Sequence, residues 1–221
     1  MKKLIIYLLL ITSCNLSAQG FKLPNYTTFK LANGLTVSLM EQHDVPVVSV
    51  SVVLPGGAIY DGEKSGLASL TAVSLKHGTK NFSKTKLDEE LDFLGANVDT
   101  YATKEYAGLS SDFASKDKDK VLNIVKEILL NPVFDAAEFE KEKSRLLVSL
   151  AQQKESPRSV IGPYFDTLLY GNHVYANVKN GNKETVGKLT VNDVKDFYKT
   201  NYKPNEAAIC IVGDFKVNEM K

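Results

Sequence analysis

The chain has 221 residues, enough for one full domain or two small ones. Apolar residues make up 43% and charged residues 24%, a balance that supports a sizeable core. The net charge is +1, and it becomes −1 without Lys2 and Lys3, so neither value points to a nucleic-acid partner or an anionic membrane surface.

Residues 1–20 read as an export leader and not as fold. Met1-Lys2-Lys3 is a short basic start, and Leu4 to Ile11 is an apolar run too short to span a bilayer as a finished helix. Two cleavage readings stand side by side. Ile11-Thr12-Ser13-Cys14 resembles a bacterial lipobox, which would make Cys14 an acylated N-terminus. Leu16-Ser17-Ala18 fits an ordinary small-residue cleavage site. The expected address is the bacterial periplasm or envelope, with membrane contact only through a lipid on Cys14.

Phe29 to Leu39 reads as a β-hairpin turning on Asn33-Gly34 as a two-residue turn. Val47 to Leu54 is a long β-branched run closed by Pro55-Gly56-Gly57, the pattern of a buried strand. Ser65 is positioned to cap a helix reaching about Lys76 with Gly78 as its stop, and Ser83 caps a second one ending at Gly95. Val98 to Phe113 reads as a second antiparallel pair turning at Lys104-Glu105. A helix follows through Val121, Leu122, Val125, Ile128 and Leu129, ended by Pro132.

Asp135, with Glu138 three residues on, opens the longest helix, which runs to about Glu155. Another helix is expected over Ser159 to Leu169. Thr190 with Asp193 caps the last clear one, with Leu189 opposite Val194 as a hydrophobic staple. Ala207 to Val212 reads as a strand, which would bury Cys210. The order lacks a regular βαβ alternation, so the predicted class is α+β, a mostly antiparallel sheet packed by helices.

Recognisable chemistry is sparse. His43, His77 and His173 are the only histidines, and no H-x-x-x-H or H-x-x-E-H spacing exists. His77 falls at a helix end, where its imidazole is expected to meet the last carbonyls. There is no G-x-S-x-G elbow and no P-loop, and Cys210 has no adjacent base. Two cysteines, one in the leader, make no disulfide framework.

Several segments, taken in order, resemble the pitrilysin/insulinase family of zinc peptidases. They are Leu31 to Val37, Gly57-Ala58 through Gly66-Leu67-Ala68, Lys76-His77-Gly78-Thr79, Tyr170-Gly171-Asn172-His173, Leu189-Thr190, and Val212-Gly213-Asp214. The resemblance covers nearly all of residues 21–221 and implies one domain of that family's fold, the N-terminal one, followed by a C-terminal domain. In active members H-x-x-E-H directly follows Gly-Leu-Ala, with two zinc-binding histidines and a water-activating glutamate. Here Ser69, Ala72 and Val73 stand at those positions, and Ser149 stands where the third ligand, a glutamate, would be. Glu142 matches an auxiliary acidic position. The family's peptide-binding edge strand resembles Asp99-Thr100-Tyr101-Ala102-Thr103, although Asp99-Thr100 replaces the usual Asn-Ala.

The resemblance therefore implies a domain without catalytic residues and without a zinc cofactor of its own. Zinc would belong to a partner subunit or another domain. The expected partners are an active zinc-peptidase subunit of the same family and a peptide substrate. An Arg/Tyr pair steadying the scissile carbonyl would lie beyond Lys221. The alternatives are a membrane-anchored peptide-binding scaffold without hydrolytic role, or a longer chain whose later domain is an active zinc peptidase.

Overall fold

A computed structural model describes residues 24–153, 155 and 157–220. The leader, with Cys14 and both cleavage readings, lies outside the described residues. The strands are β1 (Thr27–Lys30), β2 (Thr36–Glu41), β3 (Val47–Pro55), β4 (Asn97–Ala102), β5 (Tyr106–Ala114) and β6 (Ala208–Gly213). They form one sheet in the order β1-β2-β6-β3-β5-β4, antiparallel throughout except for the parallel β2–β6 pair. The fold is α+β, as the order of elements predicts.

The helices are α1 (Leu67–Ser74), α2 (Lys84–Leu94), α3 (Lys118–Leu130), α4 (Ala136–Gln153), α5 (Pro157–Tyr170), α6 (Lys183–Lys188), α7 (Val191–Asn201) and α8 (Val217–Met220). Their caps are largely those expected. Ser83 accepts from Lys86 N–H, and Gly95 ends α2 in the left-handed region. Asp135 accepts from Glu138 N–H at 2.9 Å. Thr190 and Asp193 form a reciprocal capping box. Helix α6 was not expected; Asn182 and Thr185 build a second capping box for it.

One face of the sheet packs on the helices and the other is open, and this corrects two expectations. β3 is not buried on both faces. Val48, Val50, Val52 and Leu54 are inside, while Val47 and Val53 are 46% and 38% exposed. In β6, Ile211 points into the core and Cys210 points out, so Cys210 is an exposed thiol and not a core residue. Both follow from the period-2 alternation of a strand with one covered face.

The first hairpin differs in its turn. Thr36 pairs with Lys30, and Leu31 N–H donates to Leu35 O at 2.9 Å, leaving a three-residue connection and not a two-residue one. Gly34, at φ +91°, supplies the left-handed residue such a connection requires. At Gly57 the constraint is space: a Cβ there would lie 2.5 Å or less from the backbone of Lys104, Glu105 and Tyr106. The backbone after β3 can therefore bond the β4–β5 turn, Ala58 N–H to Thr103 O and Ile59 N–H to Lys104 O.

Helix α5 stands apart from the rest. Ile161, Phe165 and Leu168, spaced i, i+4 and i+7, are 59–85% exposed. The helix is tied down near its C-terminus, where Lys104 pairs with Asp166 and donates to Tyr175 O at 2.7 Å. Among the described residues no helix is long and apolar enough to cross a membrane.

Candidate functional site

Helix α1 is placed by a buried carboxylate. Asp61 accepts from Gly66 N–H at 2.8 Å and from Ala68 N–H at 2.7 Å. These are two of the four amides that a helix N-terminus leaves unpaired. Asp61 is therefore the cap, and the expected cap, Ser65, instead donates to Val178 O at 2.8 Å. Burial pushes the Asp61 pKa up to about 7, although the two amide donors pull it down.

From that start the helix turns Ser69 and Val73, one turn apart, toward α4. Glu142 and Ser149 of α4 face them across a groove of about 260 Å³, together with Arg145 and Asn180. The structure thus brings together three of the four positions the resemblance singles out, plus the retained acid. The fourth, Ala72, is fully buried in the core. Ser69 Oγ donates to Lys179 O at 2.8 Å, with Asn180 Oδ1 3.2 Å away, so its hydroxyl stitches α1 to the 178–181 segment.

This donor set does not fit zinc. Zinc is held by thiolates, imidazoles or carboxylates in tetrahedral array. Ser69, Ala72, Val73 and Ser149 supply none of these groups. Glu142 alone remains, paired with Arg145 at 3.2 Å. Among the described residues no three His, Cys, Asp or Glu side chains converge to hold an ion.

A second groove, of about 300 Å³, continues from the first past Val73, Glu142 and Arg145 to Asp99 and Thr100 of β4. His77 lines it and is only 5% exposed. Among the described residues its Nδ1 has no hydrogen-bond partner, so the expected contact with the helix-end carbonyls is not made by that nitrogen. Burial lowers its pKa, outweighing the pull of Glu142 and Glu138.

The predicted peptide-binding strand is an outermost strand of the sheet. Thr103 N–H donates to Tyr106 O, which makes that pair hydrogen-bonded. By the alternation of antiparallel ladders, the N–H and C=O groups of Val98, Thr100 and Ala102 then point away from β5, toward the open edge. Side chains follow the opposite logic. Ala102 is buried, and Tyr101 lies over Gly108, where a Cβ would come 2.5 Å from its ring. Asp99 and Thr100 are thus parts of a backbone edge and not a cluster of reactive side chains.

Arg145, Asn180 and Asp61 carry much of this geometry, and no motif marks them. Arg145 follows the retained Glu142 by three residues, a spacing that puts both on one helix face. That was the available signal. Asn180 and Asp61 reach α1 only through the tertiary fold.

Comparison with known proteins bears on this arrangement. The family Insulinase (Peptidase family M16) matches residues 36–178, and the Peptidase M16 inactive domain matches residues 188–221. Bovine (Bos taurus) cytochrome b-c1 complex subunit 1 is 27% identical over 198 residues, covering 89% of this chain and 41% of its own. The non-peptidase homolog YmxG of Helicobacter pylori is 27% identical over 222 residues, 99% of this chain and 50% of its own. Rat (Rattus norvegicus) mitochondrial-processing peptidase subunit beta is 26% identical over 194 residues, 86% of this chain and 39% of its own. A crystal structure of a peptidase M16 inactive domain from Pseudomonas fluorescens superposes with a TM-score of 0.85 at 25% identity, covering 89% of this chain and 48% of that one. The chain thus spans between two fifths and half of the length of these relatives.

Proposed function

Because the chain belongs to the insulinase (M16) peptidase family, we propose that it is a non-catalytic domain that binds and positions peptides beside an active zinc peptidase subunit of the same family. One observation carries the reading: Ser69, Val73 and Ser149 line one groove between α1 and α4, and these positions, with the buried Ala72, are the four at which the resemblance places the family's chemistry. Loss of one group would leave a crippled enzyme. Loss of all four within a sound fold leaves a wall, and such a wall has other uses.

Two further features support the reading. The outward amides of β4 suit an extended peptide, which adds to a sheet edge through main-chain bonds alone. The exposed Ile161, Phe165 and Leu168 stripe of α5 is the kind of apolar surface that protein partners bury. Among the relatives, cytochrome b-c1 complex subunit 1 and mitochondrial-processing peptidase subunit beta are named as subunits, and YmxG is named as a non-peptidase homolog.

The test is reconstitution. The full-length protein is expected to copurify with an M16 zinc peptidase from the same source and to raise its peptide-hydrolysis rate. A full-length protein that does neither defeats the pairing. If it binds unstructured peptides alone, at micromolar concentration and without hydrolysis, the scaffold reading replaces the pairing reading.

The address completes the proposal: export through the leader, with Cys14 acylated. Labelling cells with a fatty-acid analogue is expected to mark the wild-type protein and to leave Cys14→Ala unmarked. Equal labelling of both removes the lipid anchor from the proposal.

A further inference from the structure

The second groove contains one cation placed differently from the others. Lys84 pairs with Asp88 at 2.6 Å and Arg145 with Glu142 at 3.2 Å. Lys76 lines the same groove but, among the described residues, no carboxylate lies within ion-pair distance of it. Its Nζ instead donates to the carbonyl oxygen of Val98. Val98 is one of the three β4 residues whose amide groups point to the open edge. Among the described residues, no other group meets the outward amides of Val98, Thr100 and Ala102. The chain thus covers one end of its own edge with an ammonium and leaves the rest open.

We propose that Lys76 makes the β4 edge selective for peptides that carry a carboxylate in the register beside Val98. This rests on the peptide-binding reading of the edge. A strand adding to β4 competes with Lys76 for the Val98 carbonyl. A neutral peptide displaces the ammonium and offers it nothing in return. A peptide carboxylate receives it and replaces a hydrogen bond to a neutral carbonyl with an ion pair in which both partners are charged. Among the described residues the groove supplies no competing free cation, because Lys84 and Arg145 are already paired, so the carboxylate is read at one position. A side-chain carboxylate and a C-terminal carboxylate offer the same chemistry.

The experiment measures binding of short extended peptides to the full-length protein by fluorescence anisotropy. The peptides differ only in a central Glu or Gln, and each is made with a free acid or an amide at its C-terminus. The wild-type protein is expected to favour the carboxylate form by on the order of three- to tenfold. The C-terminal arm decides which carboxylate is used. In Lys76→Met, which keeps the apolar stem, the preference is expected to vanish while the Gln peptide binds at least as well as before. In the wild type the preference should also shrink as salt rises from about 50 to about 500 mM, a test that needs no variant. An acidic preference that survives both Lys76→Met and high salt overturns the inference. So does an absence of preference in the wild type. Self-association of Lys76→Met with unchanged peptide preference would make Lys76 an edge guard only. If no peptide binds to the wild type at all, the peptide-binding reading itself falls.

Discussion

Replacing Ser69 and Val73 by His and Ser149 by Glu is expected to give the chain one tightly held zinc ion that the wild type does not retain. Positions 69 and 73 are one helical turn apart, and position 149 lines the same groove. Two imidazoles and a carboxylate there reproduce a set of three protein ligands with one open position. Elemental analysis after dialysis should find about one zinc per variant chain, with an affinity on the order of a thousandfold above wild type. A wild-type chain that keeps stoichiometric zinc at this site would falsify the non-catalytic reading. A folded variant without zinc would show that the three positions do not converge as described.

Peptidase activity is not expected from these three changes. The fourth position, Ala72, is fully buried, and a glutamate there would place a carboxylate in the core. The variant would also lose the bond from Ser69 to Lys179 O that holds the 178–181 segment against α1. Position 69, where the resemblance places a ligand, holds a hydroxyl bonded to the 178–181 segment.

Asp61 is expected to show the largest single-residue effect at the site. Asp61→Ala leaves the amides of Gly66 and Ala68 buried and unpaired, which should cost about 2–4 kcal/mol in denaturant unfolding. The same carboxyl gives stability a pH dependence of definite sign. Its ordinary pKa is 3.8, and burial raises it to about 7 in the folded chain. Between those values the folded state holds a proton that the unfolded state has released. The stabilisation is complete below about pH 4, declines by up to about 1.4 kcal/mol per pH unit, and is gone above about pH 7. His77 acts in the opposite sense. Its lowered pKa makes the unfolded chain the better proton binder, so its contribution declines as pH falls below 6.5. The difference between wild type and Asp61→Asn isolates the carboxyl. If that difference does not change between about pH 4 and about pH 7, the buried-carboxyl account is wrong.

Much of the fold was legible in the residues. The Ser83 and Thr190 caps, the Lys104-Glu105 turn and the long α4 each rest on interactions within a few positions of chain, and local chemistry is enough to place them. β3 was misread although its signal was present. Ser49 and Ser51 interrupt the valine run at period 2, which marks a strand covered on one face only. Cys210 was misread for the same reason, since a short apolar run does not say whether both faces are covered. The first hairpin turned on Asn33-Gly34 as expected, but with one more residue in the loop, because Gly34 supplies the left-handed position of a longer connection.

The site divides along the same line. That Ser69, Ala72, Val73 and Ser149 offer no zinc ligands follows from side-chain identity and spacing, because coordination chemistry depends on which atoms are present. Their convergence did not follow from spacing, since residue 149 comes from a different helix and meets residues 69 and 73 only when α1 packs on α4. The same holds for the Asp61 cap, the unpartnered His77 nitrogen and the Lys76 contact with Val98. Each joins groups from separate elements, so it is set by how helices seat on the sheet. Composition and motif fixed what this groove lacks; the packing of α1, α4 and β4 decided what stands there instead.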